Sequence, residues 1–310
     1  MPDDRLTDLR IGALPGNESL ATRLAARLGA ARLPIVVRRF PDGESYVRLD
    51  GDVRGADVAL VCTLDRPDDK LLPLLFAADA SADLGARSVG LVAPYLAYMR
   101  QDRRFQPGED VTSRVVAGLL SHAVRWIVTV DPHLHRVGDL GALYPIAHRV
   151  LHAGPLLAAW VRANVPAPLL VGPDAESAQW VSAVAECAGA PWLVLHKERH
   201  GDRDVRIALP PEMPADRART PVLVDDIVST GHTAAETARL LRGAGFPPAI
   251  VAGVHAVFAH GAARTLAAAG VARVVTTDTI PHASNVIALD AALADAVRAL
   301  ATPAPDGRPA

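Results

Sequence analysis

Short apolar runs alternate with longer amphipathic segments along most of this chain, and the alternation predicts an α/β fold. Residues 222–226 form an apolar run of strand length, while residues 233–243 repeat apolar positions with the period of a helix. Runs of Val, Ile and Leu are typical of strands buried on both faces, so we expect mainly parallel sheets flanked by helices. The predicted strands are residues 9–14, 33–38, 58–63, 88–93, 126–130, 169–172, 192–195, 222–226, 250–257 and 272–276. The predicted helices are residues 18–28, 69–84, 112–123, 154–163, 176–188, 233–243 and 262–268.

Two series of strands and helices divide near residue 150, which predicts two domains of similar size. The first domain is assigned to residues 1–148 and the second to residues 149–288. A helix at about residues 289–300 is expected to pack back on the first domain. Residues 301–310 are rich in Pro and Ala without periodicity, so a disordered tail is expected there. Helix N-caps are predicted at Asn17, Asp68 and Thr112.

Composition and charge narrow the class of protein. The chain has 310 residues, of which 21% are charged and 50% hydrophobic, and its formal net charge is -2. That balance describes a globular protein and argues against a general nucleic-acid or membrane surface. The sequence starts with polar residues and contains no apolar run of membrane-spanning length, so we expect a cytoplasmic protein. Cys62 and Cys187 lie in apolar surroundings without metal-ligand spacing and are predicted to be buried thiols.

The string VLVDDIVSTGHT at residues 222–233 carries the clearest chemistry. An apolar strand ends in two carboxylates, and a turn of small and polar residues leads into a helix. At a helix N-terminus, backbone N–H groups and the helix dipole favour a bound phosphate. The carboxylates suit the vicinal hydroxyls of a ribose or a magnesium ion. The residues expected to bind a phosphorylated sugar are Asp225, Asp226, Ser229, Thr230, Gly231, His232 and Thr233.

Two loops in the first half combine aromatic and charged side chains. The loop at residues 94–105 has the sequence PYLAYMRQDRRF and follows a predicted strand. Because Arg suits polyphosphate oxygens and Gln can read a base edge, Arg100 and Gln101 are candidates to hold a nucleotide. The second loop has the sequence RFPDGESY at residues 39–46 and offers an aromatic ring and carboxylates that suit an adenine.

Three further segments lie where predicted strands end. His133 follows a buried strand, at the carboxyl edge where parallel sheets bind ligands. Asp174 ends another strand and opens a helix. Residues 196–205 are polar, are expected to form a flexible loop, and include Lys197 and Arg199.

Each motif also has a plainer interpretation. An Asp after a strand is often a simple helix cap, which would apply to Asp174 or to one of the carboxylates at 225–226 but not to the whole string. The loop at 94–105 would be a solvated basic segment, although its aromatic residues then have no explanation. The Pro-Asp-Gly sequence at 41–43 is first of all a turn, and charge-dense loops such as 196–205 are usually inert.

Together the motifs resemble the ribose-phosphate pyrophosphokinases, in matching order through nearly the whole chain. The string at 222–233 alone resembles a loop that this family shares with type I phosphoribosyltransferases. The loops of the first half favour the pyrophosphokinases, because phosphoribosyltransferases generally have a smaller hood over the base. The resemblance implies two tandem phosphoribosyltransferase-like domains, the first for ATP and the second for ribose 5-phosphate. The implied enzyme transfers the β,γ-diphosphoryl group of MgATP to the 1-hydroxyl of ribose 5-phosphate, giving 5-phosphoribosyl 1-diphosphate and AMP.

The resemblance also assigns roles in catalysis and metal binding. Lys197 and Arg199 match the Lys-x-Arg pair of the family's mobile catalytic loop. Two cations on a closing lid would stabilise charge that grows on the bridging oxygen and would exclude water. His133 and Asp174 match residues that bind Mg2+ in the family, so Mg2+ is the expected cofactor.

By the same resemblance, ATP binds to the first domain. The loop that contains Phe40 would reach the adenine of a neighbouring subunit's ATP, which implies a homo-oligomer with a shared ATP site. The expected partners are the small molecules ATP and ribose 5-phosphate, and neither a nucleic acid nor a membrane. The residues assigned to ATP are Phe40, Asp42, Glu44, Arg100, Gln101 and His133.

The sequence departs from the family's pattern in two places. Relatives usually have glycines after the residue matching Asp174, where this chain has Glu176 and Ser177. His232 stands where a glycine is common. Two alternatives therefore stay open: a phosphoribosyltransferase that consumes the diphosphate product, and a catalytically silent regulatory homologue.

Overall fold

The computed structural model describes residues 8–134, 139–173, 177–199, 205–210 and 214–301, with the backbone alone at 196–199 and 205–207. The chain divides into two units, Met1–Leu151 with Leu289–Ala310, and His152–Ala288. None of the helices in these described ranges has the length and apolarity needed to cross a membrane. Of the tail expected at 301–310, Ala301 ends a helix and the other residues lie outside the described ranges.

The first unit is built on a six-stranded sheet in the order β2-β1-β5-β6-β7-β8, whose paired strands are all parallel. Strands β3 and β4 form a separate antiparallel ribbon. Its strands are β1 (Leu9–Ala13), β2 (Ala31–Leu33), β3 (Ile35–Arg39), β4 (Ser45–Leu49), β5 (Asp57–Val61), β6 (Ser88–Ala93), β7 (Trp126–Val130) and β8 (Ala147–Leu151). Its helices are α1 (Glu18–Leu28), α2 (Asp68–Asp83), α3 (Thr112–Ala123) and, from the end of the chain, α8 (Asp290–Ala301), with a 3-10 turn at Leu140–Ala142.

The second unit repeats this arrangement. A six-stranded parallel sheet has the order β10-β9-β13-β14-β15-β16, and β11 and β12 form an antiparallel ribbon. Its strands are β9 (Pro168–Gly172), β10 (Trp192–Val194), β11 (His196–Arg199), β12 (Val205–Ala208), β13 (Thr220–Ile227), β14 (Ile250–His255), β15 (Arg273–Thr277) and β16 (Asn285–Ile287). Its helices are α4 (Gly154–Asn164), α5 (Ala178–Ala188), α6 (His232–Gly243) and α7 (Ala262–Ala268).

Both units therefore share one connectivity. In each, the first two strands pair, a ribbon follows, and the next strand joins the other side of the first before three more strands extend the sheet. The predicted α/β class with mainly parallel sheets flanked by helices is confirmed. Because the carboxyl ends of parallel strands share one edge, the loops after β5, β6 and β7, and those after β13, β14 and β15, each gather at one side of their sheet.

The cores follow the apolar runs that the sequence shows. Every residue of β5 and of β7 is buried, and burying a Val or Leu side chain contributes about 1.5–3 kcal/mol. Gly90 in β6 leaves room for Trp126 in β7, since a Cβ at this glycine would lie 1.9 Å from the indole ring.

The last helix belongs to the first unit. Asp290, at the start of α8, is buried and accepts a hydrogen bond from Arg27 of α1, while Arg23 lies 3.8 Å away. A buried carboxylate without such partners would be costly, so this cluster fixes α8 against α1.

Several sequence predictions need correction. The predicted strand at 33–38 is two strands, because Pro34, which has no N–H to donate, lies between β2 and β3. The loop predicted at 196–205 includes β11 and the first residue of β12. Strands β4, β8, β12 and β16 were not predicted from the sequence.

The cap and cysteine predictions also change. Asp68 and Thr112 are the first residues of their helices rather than N-caps. Asn17 is an N-cap by position, but its side chain does not cap the helix; its Oδ1 accepts the N–H of Thr63 at 2.8 Å. Cys62 is buried, and burial raises the pKa of its thiol to about 12, whereas Cys187 is exposed.

Candidate functional site

The predicted phosphate-binding residues form one continuous turn between β13 and α6. Gly231 is the N-cap of α6 and has a φ of 73°, a left-handed conformation that favours glycine. A Cβ at this position would also lie 3.0 Å from Cγ of Leu266 in α7. The turn and the close packing of α7 therefore both require glycine.

The same turn leaves backbone donors available. The carbonyl oxygens of Val228 and Ser229 accept hydrogen bonds from the N–H groups of Phe258 and Ala259, at 2.9 and 3.1 Å. Within the described ranges, the N–H groups of Thr230, Gly231 and the residues at 233–234 donate to no protein atom. We call residues 229–234 the phosphate cradle, because donors at a helix N-terminus suit a phosphate.

Two half-buried carboxylates lie beside the cradle. Asp225 and Asp226 are at the end of β13, and Oδ1 of Asp225 accepts the N–H of Asp226 at 3.0 Å. Asp225 lines the same pocket as the cradle, as does Thr237. The hydroxyl of Thr237 is buried and has no hydrogen-bond partner in the described ranges. The pocket thus combines N–H donors, hydroxyls and a carboxylate, the groups that a phosphorylated polyol needs.

Thr237 is not among the site residues predicted from the sequence. Its signal is its spacing, because a residue four positions after Thr233 lies on the same side of a helix. Thr237 was missed because a threonine within a helical pattern ordinarily has no role in binding.

In the first unit, the loop after β6 begins beside the end of β7. The N–H of Val130 donates to the carbonyl oxygen of Pro94 at 3.2 Å, so the segments that carry Arg100 and His133 start at neighbouring strand ends. Arg100 is exposed and has no hydrogen bond or ion pair within the described ranges. Gln101 donates from Nε2 to the carbonyl oxygen of Asp110 at 3.2 Å, which commits its amide nitrogen to the loop.

The third ATP candidate segment is the tip of the β3–β4 ribbon. Phe40 is 39% exposed, and its ring packs against the guanidinium of Arg38 at 4.5 Å; Arg38 also lies 4.1 Å from the ring of Tyr46. Oδ1 of Asp42 accepts the N–H of Glu44 at 3.2 Å and fixes the turn. Arg38, which sequence analysis overlooked, therefore holds Phe40 in place by a cation–π contact.

Four residues that the sequence singled out are described in part or not at all. Asp174 and Glu176 lie outside the described ranges. Lys197 and Arg199 belong to β11, opposite Ile207 and Val205 of β12, and only their backbone is described.

A complete metal site is not formed by protein groups in the described ranges, where no three His, Cys, Asp or Glu residues cluster. Mg2+ often takes only one or two protein carboxylates, with water and substrate phosphates as its other ligands. The half-buried carboxylates of Asp225 and Asp226 are oxygen donors of that kind. The donor chemistry of the described residues therefore fits Mg2+ in company with substrate phosphates.

Comparisons with known proteins identify the family. Residues 9–123 match the N-terminal domain of ribose phosphate pyrophosphokinase, and residues 146–292 match the phosphoribosyl transferase domain. The ribose-phosphate pyrophosphokinase of Methanopyrus kandleri is 36% identical over 91% of this chain and 96% of its own length. That of Saccharolobus solfataricus is 34% identical over 78% and 82%. The crystal structure of phosphoribosylpyrophosphate synthetase from Mycobacterium smegmatis aligns with a TM-score of 0.82 at 26% identity, covering 95% of this chain and 99% of that one. The chain belongs to the ribose-phosphate pyrophosphokinase family of enzymes.

Proposed function

We propose that this protein is a ribose-phosphate diphosphokinase that uses MgATP and ribose 5-phosphate. The observation that carries the proposal is the phosphate cradle, whose unpaired N–H groups lie at a helix N-terminus beside the carboxylates of Asp225 and Asp226. The matches to both domains of the pyrophosphokinase family support it.

In the proposed complex, the cradle binds the 5-phosphate and the two carboxylates accept hydrogen bonds from the ribose hydroxyls. The 1-hydroxyl group loses its proton to solvent, and its oxygen forms a bond to the β-phosphorus of ATP. The bond from that phosphorus to the α,β-bridging oxygen breaks, and AMP leaves with the bridging oxygen. Binding both reactants in line supplies much of the rate, because the chemistry needs little from the protein beyond position and charge.

The other predicted residues complete the proposal. Arg100 and Gln101 bind the nucleotide, and the ring of Phe40 stacks on adenine. Lys197 and Arg199 stabilise negative charge on the bridging oxygen in the transition state. Bound Mg2+, held by His133 and Asp174 as proposed ligands, would neutralise charge on the polyphosphate.

A homo-oligomer in the cytoplasm, with the Phe40 loop serving a neighbour's ATP, belongs to the same proposal. Exposed apolar side chains support it: Leu72 and Phe76 of α2 are 55% and 44% exposed, and Val115 and Leu119 of α3 are 51% and 47% exposed. Apolar groups of this size on two adjoining helices suit an interface between subunits.

The test uses ATP labelled with ³²P at the β-phosphorus and measures which product carries the label. Incubation with Mg2+ and ribose 5-phosphate should place the label in the pentose product and release unlabelled AMP in equal amount. Labelled ADP as the nucleotide product would mean γ-phosphoryl transfer and would contradict the proposal. Omission of ribose 5-phosphate is the control.

The alternatives give different results in the same assay. A phosphoribosyltransferase would leave ATP intact and would instead combine 5-phosphoribosyl 1-diphosphate with a nucleobase. A silent homologue would bind both substrates and turn over neither. The match of residues 9–123 to the N-terminal pyrophosphokinase domain favours the diphosphokinase over the phosphoribosyltransferase. The presence of Lys197, Arg199, His133 and Asp174 favours it over the silent homologue.

A further inference from the structure

The stacked rings of Phe258 and His282 lie beside the segment that supports the phosphate cradle. Their centroids are 4.0 Å apart with an angle of 13° between the ring planes, and both side chains are half-buried. Phe258 follows β14, and His282 lies between β15 and β16. The stack therefore joins two loops of the second unit, outside the residues that line the pocket of the cradle.

The backbone of Phe258 has a conformation that needs support. Its φ is 38°, in the left-handed region that residues other than glycine seldom adopt. Such a conformation persists where surrounding contacts hold it, and it is concentrated at functional sites. The N–H of Phe258 donates to the carbonyl oxygen of Val228 at 2.9 Å, and the ring of Phe258 stacks on that of His282. The stack is thus one of the contacts that determine where Phe258 lies.

His282 is held on its other side by the end of the sheet. Its Nδ1 accepts the N–H of Ser284 at 3.1 Å, and its own N–H donates to Oδ1 of Asn285 at 2.8 Å. Nδ2 of Asn285 in turn donates to Oγ1 of Thr276 at 2.9 Å. Because Thr276 belongs to β15 in the middle of a parallel sheet, the ring of His282 is a fixed surface for Phe258.

The segment that contains Phe258 also determines the direction of a donor in the cradle. The N–H of Ala259 donates to the carbonyl oxygen of Ser229 at 3.1 Å. The peptide between Ser229 and Thr230 is trans and planar, so its C=O and N–H groups point in opposite directions. The N–H of Thr230 therefore points away from Ala259, and Thr230 lines the pocket of the cradle. The position of Ala259 thus sets the direction in which Thr230 donates to a phosphate.

We propose that Phe258 and His282 are a positioning pair for the phosphate cradle, an inference that rests on the proposed function. The stack holds Phe258 and Ala259 where their N–H groups fix the carbonyl oxygens of Val228 and Ser229. The donors of the cradle then have their direction before the 5-phosphate binds. Donors that are already ordered bind a ligand more tightly than donors that must first be oriented.

Two substitutions of His282 separate the ring from its hydrogen bond. His282→Asn places an amide oxygen where Nδ1 accepts the N–H of Ser284, and it removes the stacked ring. His282→Phe keeps a ring for Phe258 and removes the acceptor. The matched control is His260→Asn, because His260 is exposed and lies two residues after Phe258. Within the described ranges, the side chain of His260 makes no hydrogen bond, ion pair or ring contact.

Hydrogen exchange of the full chain without ligand tests the support of the cradle. The amide of Ala259 exchanges when its bond to Ser229 opens, so its exchange should be at least about tenfold faster in His282→Asn. In His282→Phe and in His260→Asn it should stay within about threefold of the wild-type rate. Equal acceleration in both His282 variants would overturn the proposal, since the bond to Ser284 would then matter and not the stack. An unchanged rate in His282→Asn would overturn it as well.

Calorimetry with ribose 5-phosphate tests the consequence for binding. His282→Asn should raise the dissociation constant about fivefold, and His282→Phe and His260→Asn should leave it within about twofold. The KM for ribose 5-phosphate should rise by the same factor, while kcat and the KM for ATP stay unchanged, because the cradle binds the phosphate equally before and in the transition state. A rise in both KM values would show a general loss of structure and would overturn the positioning role. Faster exchange with unchanged affinity would also overturn it.

The two readouts separate this inference from the proposed function. If the wild-type protein forms AMP, and His282→Asn alters neither exchange nor affinity, the positioning pair alone is refuted. If the wild-type protein binds no ribose 5-phosphate, and His282→Asn still accelerates the exchange of Ala259, the proposed function is refuted and the support of this turn by the stack is upheld.

Discussion

The two units share one connectivity, but the segments that follow their equivalent strands β5 and β13 differ. β5 and β13 occupy the same place in their sheets, and each leads into a helix at the carboxyl edge. After β13 the chain turns through the phosphate cradle into α6. After β5 it bends at residues 65–66, where Arg66 has a φ of 50°, and enters α2 through Pro67. Connectivity thus decides where a loop lies, and the residues of the loop decide what it binds.

Hydrogen bonding shows the first difference. After β5, the N–H groups of Cys62 and Leu64 donate to the carbonyl oxygens of Val92 and Tyr95, and that of Thr63 donates to Asn17. After β13 the N–H of Val228 donates to the carbonyl oxygen of His255, but the N–H groups of Thr230 and Gly231 donate to no protein atom in the described ranges and are left for a ligand. A loop whose donors already have protein partners has none to offer a phosphate.

Charge shows the second difference. The first turn of α2 carries Asp68 and Asp69, and Asp65 precedes it in an ion pair with Lys70. The first turn of α6 carries no acidic residue. Carboxylates stabilise a helix N-terminus as a ligand would, and they repel an anion from the same place. The helix start of the first unit therefore carries acidic side chains where that of the second unit carries none.

The ribbons differ in the same way. Both follow the second strand of their unit, but β3–β4 exposes an aromatic ring, while β11 carries Lys197 and Arg199.

We expect substitutions in β11 to have the largest effect on activity. Lys197→Ala and Arg199→Ala should each lower kcat about 100- to 1,000-fold, because charge that matters mainly in the transition state is lost.

Steady-state kinetics with both substrates would measure this effect, together with ATP binding by calorimetry. The dissociation constant of ATP should change by less than about threefold. A fall in ATP affinity with kcat unchanged would assign these residues to ground-state binding instead.

Copying the acidic helix start of the first unit into the second should give the next largest effect. Thr230→Asp places a carboxylate in the cradle, and repulsion of the 5-phosphate should raise the KM for ribose 5-phosphate about 100-fold. Thr230→Asn has nearly the same size without the charge, so its KM should change by less than about fivefold. Equal effects of Asp and Asn would mean that shape, and not charge, separates the two units.

These contrasts also show how far the sequence could predict the structure. The cradle was predicted at its observed place because small residues, a glycine and a following helix leave few other conformations. The buried strands β6 and β7 match their predicted bounds, since continuous apolar runs have one stable environment in an α/β fold. The residues of a segment were sufficient to predict its structure wherever that structure does not depend on contacts distant in sequence.

The missed features depend on partners distant in sequence. Asn17 was predicted to cap a helix, and its Oδ1 instead binds Thr63, which is 46 residues away. The edge strand β8 mixes apolar and polar residues and has no buried residue. Alternation of apolar and polar positions therefore could not reveal it. Cys187 has apolar neighbours in sequence, yet it lies on an exposed side of α5.

A third prediction tests the cradle's hydroxyl. Thr233→Val keeps the branched shape and removes the oxygen, so the KM for ribose 5-phosphate should rise by about tenfold, or roughly 1–2 kcal/mol for a charge-assisted hydrogen bond. The KM for ATP should barely change. The preference for ribose 5-phosphate over ribose should also narrow, and an unchanged preference would show that the cradle binds another ligand.

The β3–β4 ribbon should give a smaller effect. Phe40→Ala removes the stacking surface proposed for adenine and should raise the KM for ATP about fivefold, close to 1 kcal/mol. Phe40→Tyr keeps the ring and should behave like the wild-type protein. If Phe40→Ala leaves the KM for ATP unchanged, the ribbon of the first unit has no part in nucleotide binding.

The smallest expected effect concerns pH and the segment that braces the cradle. The ring of His282 stacks on that of Phe258 at 4.0 Å, and its Nδ1 accepts the N–H of Ser284 at 3.1 Å. Burial lowers the pKa of His282 from the ordinary value of 6.5, so the folded chain binds this proton less tightly than the unfolded chain does. Its contribution to the free energy of unfolding is therefore complete above pH 6.5 and declines as the pH falls from there through the lowered pKa. Chemical denaturation of the wild-type protein and of His282→Asn between about pH 7.5 and 5 would measure the difference, which we expect to be the smallest of these effects. The variant's stability should fall less steeply with acid, whereas parallel curves would show that protonation of His282 is not linked to unfolding.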